Sequence, residues 1–213
     1  MNALPKIVFS QDIFFVLLMM SFFLISLLKG FYWKHAKLLF LGVFAQRYAN
    51  QFLREENAFT ERVKMITFLL MSINFTLVIS YVQMMDSLID LLKIFNLVII
   101  FFLIKVLLIK FFGFVFKIKD LSKLGMFFSL IFDRTLGFLL FPLIVLLYFF
   151  SFNISSSVLI VIIIVVCILL FLKLFWLWLI GTNSFGLPQF YIFLYLCAIE
   201  ILPILMLAKG VFY

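Results

Sequence analysis

Gly125-Met126-Phe127-Phe128-Ser129-Leu130-Ile131-Phe132-Asp133-Arg134-Thr135-Leu136-Gly137-Phe138-Leu139-Leu140-Phe141-Pro142 sets an acid and a base side by side in a run otherwise compatible with hydrocarbon. An ion inside a bilayer is costly unless it faces protein and finds a partner, so the pair marks a packing or functional site. Gly125, Ser129, Asp133 and Gly137 recur every four residues. On a helix they share one narrow face of small side chains, which lets another helix approach closely. Asp133 is therefore read as facing protein rather than lipid.

The rest of the chain has the same character. Of 213 residues, 68% are hydrophobic and 12% charged, which is too much apolar surface for one water-soluble core. The class is all-α: a polytopic transmembrane helical bundle, with residues 1–213 as a single integral membrane domain. The formal net charge is +8, but the basic residues gather in the flanks of apolar runs, at Lys29–Lys64 and Lys105–Lys123. They read as topology signals and anionic-lipid contacts rather than a nucleic-acid surface. Cys167 and Cys197 sit within apolar runs and read as buried small hydrophobes. The first apolar run is long and has its lysines after it, unlike a cleavable signal peptide.

Six spans follow, at Ile13–Leu28, Ile66–Val82, Ile94–Ile109, Met126–Phe150, Val158–Leu179 and Phe190–Leu207. Lys and Arg alternate between the connecting segments, which places 29–64, 105–125 and 173–189 in the cytoplasm and both termini outside. Residues 31–62 form the one sizeable non-spanning segment. Phe40, Phe44, Tyr48 and Phe52 repeat every four residues, so Ala36–Arg54 is predicted as one amphipathic helix lying on the cytoplasmic leaflet. Arg47, Arg54, Glu55 and Glu56 are its candidates for docking a partner; His35 reads as interfacial.

Within the spans, Ser72, Thr76 and Ser80 recur at four-residue spacing and mark a helix contact. Lys105 either snorkels to the inner surface or pairs with an acid. Lys123–Phe150 would be about 42 Å long if helical, so it is predicted to tilt, to bend near Gly137 or Pro142, or to begin as a re-entrant arm ending at Asp133. Uncharged Ser151–Ser157 and breaker-rich Gly181–Pro188 read as loops, with Lys173 at the inner end of its span. Glu200 falls near mid-membrane in the last span.

The buried-charge cluster is thus Lys105, Asp133, Arg134 and Glu200, with Asp133 predicted to meet Lys105 and Arg134 to meet Glu200. Gly125, Ser129 and Gly137, with Ser72, Thr76 and Ser80, are the predicted packing positions. The sequence holds no HExxH, Gly-x-Ser-x-Gly or phosphate-loop motif and a single His. It therefore points away from an enzyme, and to no metal or cofactor. Membrane lipids and other membrane or envelope proteins are the expected partners.

Three stretches, Gln46–Asn57, Phe132–Pro142 and Tyr195–Pro203, together resemble a family of bacterial integral membrane proteins defined only as a domain of unknown function. The likeness runs from Phe44 to Lys209 and implies an inner-membrane protein of a Gram-negative type of envelope, without implying a reaction. The functional expectation is a structural or accessory subunit of a cell-envelope or protein-export assembly. Its alternative is a small transporter or lipid-handling protein using Asp133 and Glu200.

Overall fold

The computed structural model describes residues 8–55, 57–83, 87–115, 119–149, 152–185 and Glu200. They form α1 (Val8–Phe31), α2 (Trp33–Leu41), α3 (Gln46–Arg54), α4 (Ala58–Val82), α5 (Leu88–Val115), α6 (Lys119–Phe149) and α7 (Phe152–Phe185). In sequences this apolar, helices prevail because they satisfy every backbone donor and acceptor locally, without water. Among the described residues, five stretches are long and apolar enough to cross a membrane: Ile13–Phe31, Ala58–Val82, Leu88–Phe111, Gly125–Phe149 and Ser157–Leu179. They overlap the first five predicted spans and make this a multi-pass helical membrane bundle. Apart from Glu200, the sixth predicted span lies outside the described residues.

α4 and α6 form the centre, each with 56% of its apolar window buried, against 22–28% for the other three. They run the same way, since Asn74 Nδ2 donates to the Gly137 carbonyl at 2.8 Å and, farther along both, Tyr148 donates to the Leu77 carbonyl at 3.0 Å. α1 runs against them, with Phe14 beside Tyr148, Ser21 bonded to Asn74 and Tyr32 beside Phe59. α5 and α7 pack on α6, and α7 runs against it, with Lys173 at Asp133 and Trp176 stacked on Phe128.

The α4–α6 crossing depends on Gly137. A Cβ there would lie 2.5 Å from the Met71 Cα and 2.7 Å from its Cβ, so only glycine lets the two backbones meet this closely. Asn74 sits in the same crossing. Its amide oxygen accepts from Ser21 Oγ at 2.9 Å while its nitrogen bonds Gly137, so one buried side chain ties α1, α4 and α6 together. Five residues beyond Gly137, Pro142 cannot bond to the Phe138 carbonyl, yet α6 continues to Phe149, as helices in bundles do when neighbours supply polar contacts.

Several sequence expectations give way here. The single helix predicted over Ala36–Arg54 is two helices, α2 and α3, folded on each other around Gly42–Ala45. A Cβ on Gly42 would lie 2.8 Å from Ile131 Cδ1 and 3.2 Å from Ala49 Cα, so the chain turns where α3 and α6 both press against it. The pair does not simply rest on a leaflet. Ala36, Leu39, Val43, Ala49 and Phe52 are buried, Phe40 packs against Phe138 and Phe52 against Phe127. The hairpin therefore spans α6 from Phe127 to Phe138, about 16 Å at helical rise.

α6 is one helix through Asp133, with no re-entrant arm among the described residues, and at 31 residues it is about 46 Å long. Phe152–Ser157, read as loop, opens α7; Gly181–Phe185, read as turn, closes it. Thr182 helps by donating to the Trp178 and Leu179 carbonyls. Cys167 is exposed on α7 rather than buried, because α7 backs onto the bundle along one face only; Cys197 lies outside the described residues.

α4 begins at Ala58, eight residues before its predicted span. Asn57 caps it, accepting from the Phe59 and Thr60 amides at 3.0 Å each, while Thr60 Oγ1 accepts from the Asn57 amide at 2.9 Å. This reciprocal cap carries the helix through polar Thr60–Lys64 before it reaches the apolar run.

Candidate functional site

Ser129 and Asp133 are one turn apart on α6 and share a face. Asp133 receives two lysines: Lys105 of α5 donates to Oδ2 at 2.8 Å and Lys173 of α7 to Oδ1 at 2.8 Å. Glu200 closes the arrangement. Its Oε1 accepts from Ser129 Oγ at 2.6 Å, and its Oε2 lies 2.9 Å from Lys105 Nζ and 2.7 Å from Lys173 Nζ. The directed hydrogen bonds of both ammonium groups go to Asp133, so their contact with Glu200 Oε2 is ionic. Two cations and two carboxylates thus alternate around a four-cornered ring.

Burial of this ring is nearly complete, with side-chain exposure of 4% for Lys105, 5% for Lys173, 1% for Glu200 and 15% for Asp133. Asp133 stands eight residues inside the start of its span, Lys105 and Lys173 six from the ends of theirs. At helical rise this places the ring about 10 Å inside the bundle from that end. Such a depth is tolerable because the four charges sum to zero and each has opposite charges in contact, whereas removing one would leave its neighbour bare.

Of the four predicted cluster members, the structure brings Lys105, Asp133 and Glu200 together and turns Arg134 away. Glu200 is met by the two lysines and Ser129, not by Arg134. Consecutive helix residues project about 100° apart, so Asp133 and Arg134 cannot both look toward α5 and α7. Arg134 lies on the side where Phe127, Ile131 and Phe138 meet α2 and α3, and its Nε finds no acceptor among the described residues.

The packing positions have separate duties. Gly137 permits the α4 crossing, Gly125 is buried, and Ser129 donates to Glu200. The Ser72 and Thr76 hydroxyls bond back to the Phe68 and Ser72 carbonyls at 3.0 and 2.8 Å, so what they offer neighbouring helices is small volume. Ser80 is buried and its hydroxyl has no partner among the described residues. Of the docking candidates, Arg47 and Arg54 are exposed on α3. Glu55 accepts from Gln51 Nε2 at 3.0 Å and lies 3.7 Å from His35 Nδ1; Glu56 is outside the described residues. His35 stacks on Phe59. Among the described residues no group of His, Cys, Asp and Glu is arranged to hold a metal.

Residues 14–211 match the family described as "Domain of unknown function (DUF4271)". The chain belongs to this DUF4271 family. No curated protein and no solved structure matches it. In this DUF4271 protein the match takes in the whole charge ring, the hairpin and the Asn57 cap.

Two residues that organise the DUF4271 bundle escaped the sequence reading. Lys173 was assigned to the membrane surface because a long side chain near a span end ordinarily snorkels. The signal that finds it is level: Lys173 stands six residues inside the end of its span, as Lys105 does. Asn74 stood among small polar residues, yet it was the one with both a donor and an acceptor to share between helices.

Proposed function

We propose that this protein is a non-catalytic structural or accessory subunit of a cell-envelope or protein-export assembly in a bacterial inner membrane, with both termini on the periplasmic side. The observation that carries this reading is the closed charge ring. All four carboxylate oxygens have a donor or an ammonium in contact, which leaves no free base for proton abstraction and suits a fastening that holds three helices and Glu200 in register. Arg47 and Arg54, exposed on a hairpin anchored along α6, present charge to a partner. Family membership and the apolar helices support a membrane protein.

The test is gentle detergent extraction of the tagged protein, followed by mass spectrometry of what elutes with it. The accessory role requires stoichiometric membrane or envelope partners, lost on Arg47→Glu with Arg54→Glu while the chain stays folded. A monodisperse protein active by itself refutes it. The transporter or lipid-handling alternative requires a folded Glu200→Gln variant to lose a pH-dependent flux, whereas a fastening role requires lower abundance instead.

A further inference from the structure

We propose that the cavity above the charge ring binds one free fatty acid, its carboxylate on Lys105 and Lys173 and its chain along the bundle. The cavity holds about 220 Å³ between α4, α5, α6 and α7. Its walls are apolar, with Phe75, Val98, Phe102, Leu136 and Val166 among them, and its charged lining groups are Lys105, Asp133 and Lys173. Val98 stands seven residues along α5 from Lys105, and Val166 seven along α7 from Lys173, so the apolar shaft extends about 10 Å from a charged floor. That is the outline of a single-chain amphiphile.

Charge selects the head group. Each lysine ammonium has three donors and lies against two carboxylates, Asp133 and Glu200, so among the described residues each retains donor capacity for an acceptor beyond the ring. An N–H turned into an apolar shaft with no acceptor is costly, and the two oxygens of a carboxylate answer both lysines at once. A phospholipid fits neither the volume nor the depth, since its phosphate belongs at the bilayer surface.

The experiment uses the full chain in nanodiscs of zwitterionic lipid, radiolabelled decanoate as the probe, and decanol and decyltrimethylammonium as competitors of similar chain and different head. The expected result is saturable decanoate binding at one site, with decanol at least tenfold weaker, the least a hydrogen bond to a charged group supplies, and the cation inert. Val166→Trp fills the shaft from a partly exposed wall position, away from the ring, and is expected to weaken decanoate at least tenfold at unchanged elution volume. Equal competition by all three heads, absence of saturable binding, or unaltered binding in folded Val166→Trp overturns the proposal. Should Val166→Trp fail to fold, the head-group series in the unaltered protein decides alone.

Discussion

Replacing Gly137 by alanine adds one methyl group at the tightest place in the bundle. Its Cβ would stand 2.5, 2.7 and 3.0 Å from the Cα, Cβ and Cγ of Met71, where carbon atoms rest at about 3.5–4.0 Å. Two of those three atoms are fixed by the α4 backbone, so a change of rotamer at Met71 relieves only the third. The helices have to part by about 1 Å, and that stretches the 2.8 Å bond from Asn74 Nδ2 to the Gly137 carbonyl beyond useful range. Overpacking of this kind costs about 1–3 kcal/mol, and a hydrogen bond between membrane helices adds about 0.6 kcal/mol. The total is about 2–4 kcal/mol, a fall of roughly 4–16 °C in Tm for a chain of this size. Thermal unfolding of the detergent-purified variant, followed by near-UV circular dichroism, measures it. Met71→Ala in the same chain should restore only a minor part. If Gly137→Ala melts within 1 °C of the parent, the crossing is not set by backbone approach and the reasoning fails.

Other perturbations separate the remaining contributions. Lys173→Met leaves Asp133 and Glu200 short of a cation and should destabilise the bundle by about 3–5 kcal/mol, read as lost abundance in membranes; Lys173→Met with Asp133→Asn should recover part of that. Equal abundance of the single and double variants would show that the pairs are not coupled. Asn57→Ala removes the reciprocal cap of α4 at a cost of about 1 kcal/mol, detectable as faster proteolysis at residues 55–60, while Asn57→Ser should retain most of the stability. Cysteines placed singly at Arg47 and Arg54 in a cysteine-free background should react with a membrane-impermeant maleimide only after the inner membrane is opened. Labelling in intact spheroplasts would reverse the assigned orientation.

Much of the architecture was legible because the bilayer simplifies the code. Runs such as Ile94–Ile109 and Val158–Leu179 have no alternative to a helix in hydrocarbon, and Asp133 and Glu200 announce themselves as groups in need of partners. Depth alone brings Lys105 to the level of Asp133, since span ends and helical rise fix the level of each residue, and the structure resolves the choice between snorkelling and pairing in favour of the pair. Angles were harder. Arg134 and Lys173 exchanged roles because a level says nothing of direction, and only the packing of α6 against α2, α3, α5 and α7 decides which side each residue of the Asp133-Arg134 pair faces. The hairpin was hidden for a related reason. Phe40, Phe44, Tyr48 and Phe52 keep helical spacing straight through Gly42, although Phe44 is 67% exposed and Phe52 1%. The turn is imposed by Ile131, 89 residues away in the sequence.

The charge ring also fixes an order of events during synthesis. Its members leave the ribosome as Lys105, then Asp133, then Lys173, then Glu200, so cation and anion alternate in time as they do in space. Lys105 waits alone only until α6 arrives with Asp133, and Lys173 waits only for Glu200. The nascent bundle therefore never holds more than one unbalanced ring charge, and the insertion machinery has to shelter a single lysine at a time. Moving either acid ahead of its base in the chain would preserve the finished ring and change the sign of the charge that has to be sheltered on the way to it.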